Sequence, residues 1–242
     1  MPEPGRGALW FWNQQNFEGL TSVAESIANV PQWQLFADYC QFRERGLRKL
    51  ALEATAKLVS VADEWPTNDR RRFSNWIYET HLRLPEVHQL IVAPLLKGLL
   101  IPTLEEWAVA ETDNAVPRRW LGFATRNHEH FSAALSLDAG DDVSRDRLVC
   151  RDLADVEYQC HHLPEHFIGE PQDAIAILSR VEQMAKGFKD SRIAPELLED
   201  FGELASKVND WISFLAEAED VSFADWCAEK GRKYHWIQHF YY

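Results

Sequence analysis

The sequence predicts an all-α protein, an array of antiparallel helix pairs arranged in a repeat-like way. Three observations carry that reading. Apolar residues recur at three- and four-residue steps in segment after segment, the spacing of one buried helix face. Pro31, Gly46, Pro66 and Pro171 punctuate those segments as helix starts and stops. No stretch shows a convincing run of the two-residue alternation of a half-buried strand. At 242 residues, with short connections, this amounts to about ten to twelve helices. They are expected to form one helical domain over 1–242, with 1–7 a flexible start.

After that start, the aromatic patch Ala8 to Trp12, with Trp10, Phe11 and Trp12, is expected to dock on the first helices. A helix is predicted from Phe17 to Asn29. Pro31 opens the next, with Trp33, Phe36 and Cys40 one turn apart. After Gly46 the apolar stripe runs through Leu47, Ala51, Ala54, Leu58, Val61 and Trp65 until Pro66. Thr67 is the expected N-cap of a helix presenting Phe73, Trp76, Ile77 and Leu84. The run Arg70-Arg71-Arg72 in its first turn opposes the macrodipole preference, and reads either as a solvated face or as a contact for an acidic partner. Pro85 and Pro94 bracket an apolar helix around Leu90 to Leu100. Thr103 and Glu106 have the spacing of a capping box for the helix that carries Trp107.

From Pro117 to Pro171 the pattern is a short helix, a tight turn, a second helix, an acidic turn and a long third helix. Val149, Leu153, Val156, Cys160 and Leu163 form the buried stripe of that third helix. At about 100° per residue, Cys150, Glu157 and His161 share one flank of the stripe, whereas Tyr158 and His162 point away from it. Pro164 is the expected stop. Beyond Pro171, Ala174, Leu178, Val181, Ala185 and Phe188 mark another helix. Leu197, Phe201, Leu204, Val208, Trp211 and Leu215 mark a long one after Pro195. Ser222 and Asp225 form an expected reciprocal cap for a last helix through Lys230. The aromatic tail holds Tyr234, Trp236, Phe240, Tyr241 and Tyr242, which either cap the array or form a contact surface.

Composition narrows the function classes. The 38 acidic and 25 basic residues leave a formal charge of −13, which repels phosphate backbones and disfavours nucleic acid. A basic protein partner is compatible with it. The most apolar run, Leu90 to Leu96, is broken by Pro94 and closed by Lys97, too short for the roughly 20 residues of a membrane span. The four cysteines form no C-x-x-C pair and read as reduced residues of a reducing compartment, so a cytoplasmic location is expected.

Glu157 and His161, one turn apart, are candidate metal ligands, and His128 and His130 in the preceding hairpin are candidates for completing such a set. An i, i+4 pair is half a site, and no H-E-x-x-H motif occurs. Cys150 and His161 lie about 16 Å apart along the helix axis, too far for a nucleophile–base pair. No phosphate loop, dinucleotide fingerprint or nucleophile elbow is present, so no cofactor is expected.

Trp120-Leu121-Gly122, followed by Phe131 and by Ala133-Ala134-Leu135-Ser136-Leu137-Asp138-Ala139, resembles a tetratricopeptide repeat. Ala139 stands where that family has proline, and Trp120 adjoins Leu121 instead of preceding it by three residues. A second partial match, Trp33 to Pro66, exceeds the family period, and the likeness covers about a quarter of the chain. It implies a right-handed superhelix of paired helices whose stacked faces bind a protein or peptide. The function expected is therefore non-enzymatic protein or peptide binding, with Trp120, Tyr158, His162 and Trp236 as candidate contact residues. An immunity-type protein that neutralises a toxic or basic partner is the alternative within binding. A metal-dependent hydrolase using the Glu/His set is the alternative outside it. Oligomeric state is left open.

Overall fold

A computed structural model of the chain describes residues 18–189, 194–217, 220–234 and 236, with side chains from residue 200 onward in the second of these segments. The described residues form helices packed on their chain neighbours in a repeat-like arrangement, with no strand among them. The chain divides into two compact units between Asn127 and His128. Trp10, Phe11, Trp12, Phe240, Tyr241 and Tyr242 lie outside the described residues, as does the side chain of Leu197.

In the first unit α1 spans Leu20–Ser26, shorter than its pattern suggests because Gly19, at φ 94°, sets its start. A 3₁₀ turn at Pro31–Trp33 leads into α2, Gln34–Glu44. Gly46, also at positive φ, separates it from α3, Arg48–Ala62. The buried line of α3 is Ala51, Ala54, Thr55, Leu58 and Ala62, continued by Trp65, whereas Leu47 and Val61 are exposed. Thr55 reaches the core because its hydroxyl donates to the Ala51 carbonyl at 2.9 Å, so no polar group is left unpaired there.

α4 spans Thr67–Arg83, with Pro66 as its N-cap and no side-chain cap, so Thr67 lies inside the helix and does not cap it. Phe73 and Ile77 are fully buried, and Trp33 and Phe36 each meet Phe73 edge-on with centroids 5.3 and 5.4 Å away. Such contacts suit the opposed charge of ring edge and ring face.

Residues 84–92 are turns, and helix resumes as α5, Ala93–Leu95. It continues through a π-helical turn, Leu96–Leu100, into α6, Ile101–Ala110. The apolar helix therefore begins later than Leu90 and runs straight through Thr103, which is buried within it and caps nothing. Gly98 allows the π turn to approach α3, since a Cβ there would lie 2.7 Å from Val59. α7 spans Ala115–Thr125, capped by Asn114, whose side chain accepts from the Val116 N–H at 2.9 Å.

The Arg70–Arg72 run is consumed inside this unit. Arg70 pairs with Glu106 at 3.0 Å and Arg71 with Glu111 at 2.6 Å, tying α4 to α6 and its end. Arg72 pairs with Asp69 at 3.3 Å.

The second unit contains α8 (His128–Leu137), α9 (Asp142–Gln159), α10 (Pro171–Ala185), α11 (Ala194–Glu217) and α12 (Phe223–Glu229). α9 packs on α8, α10 and α11. Its predicted stripe, Val149 to Leu163, is buried at all five positions and meets Leu178, Val181, Leu204 and Val208. The helix ends at Gln159 with Cys160 as cap, before Pro164. On α11, Leu204, Val208 and Trp211 are buried, but Leu215 is exposed, because at this end the helix turns Phe214, not Leu215, toward Phe223 and Trp226 of α12. Ser222 caps α12 as expected: its hydroxyl accepts from the Asp225 N–H at 3.1 Å and donates to the Asp225 carboxylate at 2.6 Å.

Candidate functional site

The site lies along one flank of α9. Asp141 starts that helix by accepting from the Ser144 N–H at 3.1 Å and from the Ser144 hydroxyl at 3.0 Å. Burial of the stripe against residues of α10 and α11 sets the rotation of the helix, and the flank beside the stripe faces α11. On that flank Cys150, Ala154 and Glu157 stand beside Leu153. From α11 come Leu204 and, on the polar side of its own stripe, Asp200, Glu203 and Lys207. Together they enclose an open groove of about 290 Å³. A smaller recess of about 60 Å³ shares Glu157, Leu204 and Lys207, and it adds Cys160, His161 and Trp236.

The floor of this groove is apolar and its rim is acidic. Glu157, Asp200 and Glu203 face a single lysine, Lys207, which pairs with Glu203 at 2.6 Å and lies 5.8 Å from the centre of the Tyr234 ring. The tail is anchored where it reaches the recess. The buried carboxylate of Asp210 accepts from the Tyr234 hydroxyl at 2.5 Å and from Arg232 at 2.9 Å. Trp236 then packs on Phe223 with centroids 5.7 Å apart.

The thiols are not activated. Burial pushes the Cys160 thiol up to about 11, with Lys207 lowering and Glu157 raising it to lesser extents. Cys150 is exposed, yet partial desolvation and nearby Asp146 raise its pKa as well. A nucleophilic cysteine needs the opposite shift.

Of the residues singled out from sequence, Glu157, His161 and Trp236 converge on the recess. His128 and His130 lie in the first turn of α8. Among the described residues no three His, Cys, Asp or Glu side chains are grouped to hold a metal ion. Tyr158 is 65% exposed, as its position opposite the stripe requires. His162 stacks on His166 with centroids 4.7 Å apart. Trp120, by contrast, is buried at 1% exposure, stacks on Tyr78 at 5.4 Å and donates to Asn75 at 2.7 Å. It is a core residue of the first unit and has no surface to offer a partner.

Asp200, Glu203 and Lys207 were not among the sequence candidates. Their signal is the spacing of three and four residues along one edge of the α11 stripe. It gains meaning only once α11 is known to face α9. No family model, curated protein or solved structure matches the chain.

Proposed function

We propose that this protein binds a protein or peptide partner, and that the α9–α11 groove receives a basic side chain of that partner. The observation that carries the reading is the pairing of an apolar floor, Leu153, Ala154 and Leu204, with three carboxylates against one lysine at the rim. A lysine or arginine has an aliphatic stem for such a floor and a cationic head for such a rim. The formal charge of −13 adds long-range attraction for a basic partner. This agrees with the tetratricopeptide-like segment and with an immunity-type role, both of which call for a protein partner.

A fluorescein-labelled peptide with arginine between leucines, compared with the same peptide carrying uncharged citrulline, tests the reading by fluorescence anisotropy. The arginine peptide should bind saturably and at least about tenfold more tightly, equivalent to 1.4 kcal/mol. E157Q combined with E203Q should remove most of that difference, and added salt should weaken binding. Equal affinity for the two peptides would refute the assignment of this groove.

A further inference from the structure

A second groove in the same unit carries the opposite chemistry. It is formed by α8, α9 and α10, encloses about 270 Å³, and presents Arg151 and Arg180 beside the apolar side chains of Leu135, Leu148 and Met184. The two guanidiniums are held by Asp152, whose carboxylate has no solvent exposure. Arg151 donates its Nε at 2.9 Å and one Nη to the first carboxylate oxygen, and Arg180 donates its Nε at 2.6 Å to the second. Both Nη groups of Arg180 are left without a protein acceptor among the described residues, and the side chain is 50% exposed. Nearby Asp155 also favours the charged guanidinium of Arg180.

We propose that this groove binds the carboxylate of an acidic peptide segment. A guanidinium whose Nε is occupied still offers a planar pair of donors, which matches the two oxygens of a carboxylate. Asp152 fixes the plane of that pair, so little side-chain entropy remains to be lost on binding. The rest of the lining selects a peptide over a simple anion. Ser132 and Ser136 spend their hydroxyl protons on the His128 and Ser132 carbonyls, at 3.3 and 2.9 Å. They therefore show the groove only lone pairs, which accept from an amide N–H but repel a ligand made solely of acceptors. Leu135, Leu148 and Met184 provide for an apolar neighbour of the acidic residue. The overall charge of −13 adds a penalty that rises with ligand charge, and this favours a single carboxylate over a phosphate dianion.

The proposal rests on the peptide-binding reading for its class of ligand, but it uses a different groove, so the two stand or fall by separate experiments. The probe is acetyl-Leu-Glu-Leu amide, titrated into the full chain while the arginine Nε–Hε resonances are followed by ¹H–¹⁵N NMR. Arg180 and Arg151 should shift saturably, with affinity at least about tenfold above that of the glutamine peptide. S136E places a carboxylate of the protein's own at the exposed lip of the groove. It should abolish those shifts, leaving the helical circular dichroism spectrum and the arginine-peptide affinity of the α9–α11 groove unchanged. R180K keeps the charge beside Asp152 but loses the planar donor pair, and should weaken the glutamate peptide about tenfold. Equal binding of the glutamine peptide, stronger binding of inorganic phosphate than of the glutamate peptide, or unaltered binding by S136E would each overturn the assignment.

Discussion

At Asp152, burial alone would raise the carboxyl pKa, but hydrogen bonds from Arg180 and Arg151 more than offset this and hold it below the ordinary carboxylate value. The sign for stability follows directly. A depressed folded-state pKa contributes stability above the unfolded value of about 3.9, and that contribution is lost as pH falls through the lower folded value. D152N should therefore destabilise the protein at pH 7 by about 1–3 kcal/mol. This is less than the loss of a fully buried pair, because Arg180 is half in water. The difference from wild type should shrink at acid pH, and urea titrations at pH 7 and pH 3 measure it; a gap that grows on acidification would contradict the assigned direction. The thiols permit a second residue-level prediction. Cys150 is exposed while Cys40, Cys160 and Cys227 are buried. Iodoacetamide at neutral pH should modify Cys150 alone in the folded protein, and more slowly than a free thiol because its pKa is raised. Peptide mapping that finds Cys160 labelled at a comparable rate would show that α9 does not bury its stripe there.

At the scale of the element, α9 has two faces of very different cost. Leu153 lies mid-stripe at 6% exposure, so Leu153→Ala should cost about 2–5 kcal/mol. Tyr158, at 65% exposure, should cost within about 0.5 kcal/mol when replaced by alanine. Denaturant midpoints of the two variants make the comparison, and similar losses would mean that the helix is rotated from its described orientation. The cap of α12 adds an independent check. Removing the Ser222 hydroxyl by Ser222→Ala loses the bond to the Asp225 N–H and should cost about 1 kcal/mol.

At the scale of the whole molecule, the division at Asn127/His128 separates two cores. One is dominated by the ring cluster around Phe73, and the other is built on the stripe of α9. Far-ultraviolet circular dichroism should show a helical spectrum without a strand component. Hydrogen exchange on Leu153→Ala should reveal faster exchange in α9, α10 and α11, with α2 and α3 little changed, because local openings follow contiguous packed units. Uniform loss of protection through both units would show that they unfold as one.

Helix type and most helix faces were legible from the residues alone, since periodicity is a property of the helix itself. The α9 stripe, the Ser222–Asp225 cap and the Cys150–Glu157–His161 flank all stand where spacing puts them. Other features depended on what lies across from a helix, and spacing is silent on that. Val61 satisfies the α3 stripe but finds no cover, whereas Thr55 enters the core by spending its hydroxyl on the backbone. Thr103 has the residue pattern of a cap but sits inside a helix already begun ten residues earlier, at Ala93. Arg70 and Arg71 looked like a solvated or partner-facing run until Glu106 and Glu111 were brought beside them. Both grooves belong to this second class. Their acids and arginines come from different helices, and only the packing of α8, α10 and α11 around α9 decides which charges share a surface.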